Sequence, residues 1–87
     1  MKKYQVIISK VAGKELRQLP KDIIGRMYGK MQSLSDDPRP SGCKKLEGYS
    51  EALWRIRVGD YRIIYTVEDS ICIVDIRSIG DRKNIYR

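Results

Sequence analysis

The run Leu53–Val67, LWRIRVGDYRIIYTV, leaves few folds open to this chain. Apolar residues alternate with arginine up to Gly59-Asp60, a dipeptide suited to a two-residue hairpin loop, and β-branched and aromatic residues follow it. Period-two alternation marks a strand with one buried face. With Gly59-Asp60 as the loop, Val58 pairs with Tyr61, Arg57 with Arg62, Ile56 with Ile63 and Trp54 with Tyr65. Directly opposed residues share a face. One face then collects Trp54, Ile56, Val58, Tyr61, Ile63 and Tyr65. The other collects Arg55, Arg57 and Arg62, with Ile64. A one-residue slip would scramble both sets.

A third strand is expected over Ile71–Ile79. Taking Asp69-Ser70 as its turn places Arg77 opposite Arg62 and Asp75 opposite Ile64, with Cys72, Val74 and Ile76 on the apolar face. Ahead of the hairpin, Tyr4–Ser9 (YQVIIS) reads as a strand and Ser9 as a helix N-cap. Ala12, Leu16 and Leu19 form one short helical stripe, and Pro20 ends that helix or opens the next. Ile24, Met27, Tyr28, Met31 and Leu34 keep the helical period of a second helix. Gly25 and Gly29 flank that stripe and suggest a close approach to the first helix. Residues 35–42, SDDPRPSG, form a loop, and Cys43–Ser50 carries no clear pattern. The fold class expected is α+β in a single domain over residues 1–87: an N-terminal strand, two helices, then an antiparallel three-stranded meander, with both helices packed on one face of the sheet.

Charge and composition narrow the chemistry. The 87 residues hold 18 Lys and Arg against 11 Asp and Glu, a formal balance of +7. Such an excess favours a polyanionic partner: nucleic acid, an acidic protein or an anionic membrane face. The sequence has no histidine, which excludes His-metal sites, Ser-His-Asp triads and histidine general bases. Two cysteines, Cys43 and Cys72, make neither a disulfide framework nor a zinc site and suit a reducing compartment. No apolar run approaches the ~18–20 residues of a membrane span, and the N-terminal apolar stretch is too short for a signal peptide. A cytoplasmic protein without membrane attachment is expected.

The expected polar face carries Arg55, Arg57, Arg62 and Arg77 against Asp75. It is either a solvated basic face balanced by Asp75, Asp60 and Glu51, or an anion site. The bidentate fork of arginine suits phosphate and favours the second reading. The tail GDRKNIYR, residues 80–87, adds Arg82, Lys83, Tyr86 and Arg87, and is expected to bring Arg82 and Tyr86 to the rim of that face. Basic groups with an interleaved aromatic hold and stack single-stranded RNA. The alternative for the tail is a frayed end without a role.

LEGYSEALWRIRVGDYRIIY followed by IRSIGDRKNIYR resembles the RelE-type toxins of the RelE/ParE toxin–antitoxin superfamily. The resemblance spans nearly the whole chain. It implies an endoribonuclease that uses no metal or other cofactor, cuts messenger RNA in the ribosomal (30S) A site and so inhibits translation. It also implies an acidic antitoxin partner, through which the complex binds its own operator. Residue by residue, it implies catalytic roles for Arg55, Arg57, Arg62, Arg82 and Tyr86. Arg77, Lys83 and Arg87 join them as RNA-binding candidates. Two departures stand out: relatives often carry lysine at the positions of Arg55 or Arg57, and some carry histidine in the terminal motif where this chain has Asp81. Asp81 is a second candidate base beside Tyr86. The rival within the superfamily is a ParE-like DNA gyrase poison without nuclease activity. The rival outside it is a non-enzymatic basic interaction module.

Overall fold

The computed structural model describes residues 3–81. In chain order it contains β1 (Gln5–Ile8), α1 (Lys10–Arg17), α2 (Lys21–Asp36), β2 (Lys44–Lys45), β3 (Trp54–Val58), β4 (Tyr61–Glu68) and β5 (Ile73–Asp81). The strands form one sheet in the order β1-β5-β4-β3-β2. β1 runs parallel to β5, and the other neighbours are antiparallel. The expected α+β class holds. Two features extend it: the parallel pairing of β1, and the two-residue strand β2 inside the segment that carried no pattern.

Ser9 caps α1, its Oγ accepting from the Ala12 amide at 3.1 Å. Ala12 and Leu16 of α1 and Met27, Met31 and Leu34 of α2 are buried against Ile56, Val58, Ile63, Tyr65, Val74, Ile76 and Ile79. Both helices therefore cover one face of the sheet. Deep burial of this apolar set is the main favourable term in folding, at roughly 25 cal/mol per Å2 removed from water. Among the described residues no helix is long and apolar enough to cross a membrane.

The second-helix stripe needs two corrections. Tyr28 is 54% exposed and lies outside the core. Gly25 and Gly29 do not mark a close helix approach, since a Cβ at either would meet nothing within 4 Å.

The β3–β4 hairpin has the expected register at every pair, from Val58↔Tyr61 to Trp54↔Tyr65. Gly59 turns with φ +61°, a conformation that favours glycine. The β4–β5 pairing differs from expectation. Its turn takes four residues, Asp69–Cys72, with Cys72 at φ 54°, so Glu68 pairs with Ile73 and Asp75 faces Thr66 instead of Ile64. Cys72 consequently lies in the turn and not on the apolar face. A bulge follows: Tyr65 pairs with Ile76 but Ile64 pairs with Ser78, leaving Arg77 as the extra residue. Arg62 therefore faces Gly80, not Arg77.

Helix α1 holds this bulge. The Ser9 amide donates to the Ile76 carbonyl at 3.0 Å, and the Ser9 hydroxyl donates to the Arg77 carbonyl at 3.2 Å. The Glu15 carboxylate accepts from the Ile79 amide at 2.9 Å and from the Ser78 hydroxyl at 3.1 Å. A second polar cluster ties the β4–β5 turn to the loop after α2. Asp69 accepts from both terminal nitrogens of Arg39, at 3.2 and 2.7 Å, and from the Tyr4 hydroxyl at 2.6 Å. Arg39 also lies 5.2 Å from the centre of the Trp54 ring, a cation–π contact.

Candidate nucleic-acid interface

The face of the sheet away from the helices carries the cations. Arg55 and Arg57 alternate with the core residues Ile56 and Val58 on β3, and Arg62 lies directly opposite Arg57 on β4. This is the placement expected for all three. Lys44, which the sequence reading missed, joins them because β2 pairs it directly with Arg55. Its only signal lay in a segment without periodicity.

Two pairs of like charges thus stand face to face, Lys44 with Arg55 and Arg57 with Arg62. Opposed like charges disfavour a sheet by a few tenths to ~1 kcal/mol per pair. The side chains differ in access. Arg57 is exposed, whereas Arg55 and Arg62 are only 5% and 8% exposed. Ile64 and Thr66, on the same side of β4, are buried as well. The covered guanidinium groups have fewer accessible orientations than a surface lysine, which is a precondition for placing charge against a reacting group.

Arg77 has a different setting. Both its terminal nitrogens donate to Glu51, at 2.9 and 3.1 Å. Glu51 belongs to the connection before β3, and β4 separates β3 from β5, so this pair spans the middle strand. Of the three acids weighed as neutralisers of the face, Glu51 makes the contact with Arg77. Asp81, the last residue of β5, pairs with Tyr61 and thereby shares the side of Ile63 and Ile79, opposite to Arg62. Arg82, Lys83, Tyr86 and Arg87 lie outside the described residues.

The tyrosines of the described residues with perturbed acidity lie away from this face. Donation to Asp69 raises the Tyr4 phenol above its ordinary value. Burial, with Cys43 adding to it, raises that of Tyr65, whose hydroxyl donates to the Pro38 carbonyl at 2.8 Å. Both act as structural donors, because a raised phenol pKa disfavours the phenolate a base would need. On the other side of the molecule, Ile8, Leu16, Ile24 and Tyr28 line a groove of about 560 Å3 whose walls include Lys10, Lys14 and Arg17.

Comparisons with known proteins agree on one lineage. Residues 6–86 match the family model described as ParE toxin of type II toxin–antitoxin system, parDE. The chain is similar to the toxin RelE of Mycobacterium tuberculosis, with 33% identity over 97% of this chain and 87% of that protein. Among solved structures it is similar to the archaeal RelE–RelB complex of Pyrococcus horikoshii. The TM-score there is 0.82, at 34% identity, covering 94% of this chain and 98% of that one. It is also similar to the toxin–antitoxin complex RelBE2 of M. tuberculosis, with a TM-score of 0.85 at 26% identity and 97% of each chain covered.

Proposed function

The chain belongs to the RelE/ParE superfamily of type II toxins, and on that premise we propose that it is an endoribonuclease that cuts messenger RNA in the ribosomal A site. The observation that carries this reading is the two pairs of opposed cations on the helix-free face, Lys44 with Arg55 and Arg57 with Arg62. A sheet that accepts such repulsion is suited to an anionic ligand, and the guanidinium fork is suited to phosphate.

RNA supplies its own nucleophile. The 2′-oxygen attacks the adjacent phosphorus and loses its proton to a base. The bond to the 5′-oxygen breaks, and that oxygen takes up a proton, leaving a 2′,3′-cyclic phosphate and a 5′-hydroxyl. Negative charge builds on the phosphoryl oxygens between these events. Arg62 and Arg82 clamp the scissile phosphate at that stage, while Arg55, Arg57 and Lys44 hold the flanking backbone. Tyr86 stacks on a base or carries a proton; a phenol of pKa ~10 has to fall several units to act as a base near neutral pH, and local cations pull it that way. Asp81 is set aside as the base because its register turns it from Arg62. Arg77, Lys83 and Arg87 contact more distant phosphates. A site this shallow relies on the ribosome to align the message.

The partner is an acidic antitoxin; the similar structures are a RelE–RelB complex and the toxin–antitoxin complex RelBE2. The apolar groove with Lys10, Lys14 and Arg17 in its walls suits an amphipathic acidic segment. The toxin works in the cytoplasm, and its complex binds its own operator through the antitoxin. The test is cleavage of translated and naked message by the wild type, Arg57→Ala and Arg62→Ala, with folding checked by circular dichroism. The wild type cuts translated message faster, and Arg62→Ala loses about a hundredfold or more. Equal rates for all three proteins would refute the clamp. The ParE name of the matching family model favours a second reading, a gyrase poison; inhibition of gyrase supercoiling with message left intact selects it.

A further inference from the structure

Arg77, on the strand next to Arg62, is paired with an acid. It is the extra residue of the β5 bulge and so has no partner across the ladder. Its fork instead grips both oxygens of Glu51, at 2.9 and 3.1 Å. A phosphodiester presents the same two-oxygen edge to guanidinium as a carboxylate does. Both side chains of the pair are about half open to water, Arg77 at 40% and Glu51 at 52%, so either can exchange partners without unfolding. Glu51 sits in the connection between β2 and β3, closed at its base by the Leu46 amide donating to the Leu53 carbonyl at 2.8 Å. Gly80, opposite Arg62, is three residues along β5 from Arg77, about 10 Å at the rise of a strand.

We infer that the Glu51 carboxylate holds the place of an RNA phosphate on Arg77, and that a backbone phosphate exchanges with it and frees the β2–β3 connection from β5. This rests on the nucleic-acid reading of the helix-free face and adds to it a masked subsite. In the free toxin the acid pre-orients the guanidinium and screens one positive charge. On binding, the carboxylate returns to water and the phosphate takes over both hydrogen bonds. Exposed ion pairs are weak enough for this exchange to be reversible.

The test is the affinity of the full chain for a fluorescent 2′-O-methyl oligoribonucleotide, which lacks the nucleophile and is not cut. Glu51→Gln binds about two- to five-fold more tightly than wild type, the range by which an exposed ion pair biases an equilibrium. Arg77→Gln binds more weakly, and Glu51→Gln added to Arg77→Gln gains no more than the loss of one negative charge gives. Glu47→Gln, in the same connection, measures the effect of losing one negative charge and tightens binding less than Glu51→Gln. An equal gain from Glu51→Gln with and without Arg77, or an equal gain from Glu47→Gln, overturns the exchange. Arg57→Gln separates the two levels. Weaker binding in Arg57→Gln beside an additive Glu51–Arg77 cycle removes the exchange and leaves the nucleic-acid face standing. Unchanged binding in Arg57→Gln removes both.

Discussion

Replacing Glu15 by alanine should destabilise the protein by about 2 kcal/mol through a hydrogen bond that no β-strand supplies. The Ile79 amide lies two residues past the bulge and beyond Ile8↔Ile76, the last pair of β1 with β5, and the Glu15 carboxylate accepts from it at 2.9 Å. Ile79 is 1% exposed, so water is kept from that amide. Leaving a buried donor unsatisfied costs about 1–3 kcal/mol. Ser78 also loses its acceptor, but its hydroxyl is half-buried and turns to solvent at little cost. Helix propensity runs the other way, since alanine is the better helix former, so the loss is not a helix effect. For a domain of this size each kcal/mol moves the midpoint by about 4–8 °C, so Glu15→Ala should melt about 8–16 °C lower. Thermal and urea unfolding followed by circular dichroism measure it. Glu15→Gln keeps an acceptor oxygen for Ile79 and should lose less than half as much. A Glu15→Ala protein within 0.5 kcal/mol of wild type, or a Glu15→Gln protein as unstable as it, would refute the role assigned to the carboxylate.

Three other outcomes follow from the structure. Gly25→Ala and Gly29→Ala should each raise stability by up to about 1 kcal/mol, because both lie inside α2 and a Cβ meets nothing within 4 Å; a lowered urea midpoint in either would contradict it. Gly59→Ala should cost about 1–2 kcal/mol, since φ there is +61° and the Arg26 guanidinium already lies 3.4 Å from the new Cβ; an unchanged midpoint would contradict it. Stability should fall as pH rises past about 10, the ordinary phenol value. Tyr4 and Tyr65 are both raised in the folded state, so the folded chain binds more protons there than the unfolded chain and loses its advantage as they ionise. In a spectrophotometric titration, Asp69→Asn should bring the Tyr4 transition down towards its ordinary position; no movement would remove the Asp69 hydrogen bond as its cause.

Legibility in the sequence followed the range of the interactions. The β3–β4 register was readable because Gly59-Asp60 fixes the turn locally and alternation on both sides agrees with it. The Ser9 cap and the Met27, Met31, Leu34 stripe were readable for the same reason. Tyr28 has the right spacing but belongs to the groove wall, and spacing cannot tell a core edge from a groove. The glycines of α2 misled because close packing and open solvent leave the same residue. Lys44 escaped because a two-residue strand has no period of its own and is defined only by its partner β3. The parallel pairing of β1 with β5 and the Tyr4–Asp69–Arg39 cluster join residues far apart in the chain, with no local trace.

The bulge did leave a trace, and it explains why the site has its present shape. Along β5 the core residues are Val74, Ile76 and Ile79, a step of two followed by a step of three. A regular strand cannot put all three on one side, so one residue must be extra. Had β5 continued in the register of Tyr65↔Ile76, Arg77 would face Ile64, Ser78 would enter the core, and Ile79 would stand opposite Arg62. The bulge returns Ile79 to the core and brings Gly80 beside Arg62, where a Cβ meets nothing within 4 Å. It therefore keeps Ile79 in the core and releases Arg77 from the ladder to reach Glu51. Ser9 and Glu15 of α1 stabilise this one irregular step from the far side of the sheet. A helix that is eight residues long and carries no residue of the cationic face thus sets its geometry.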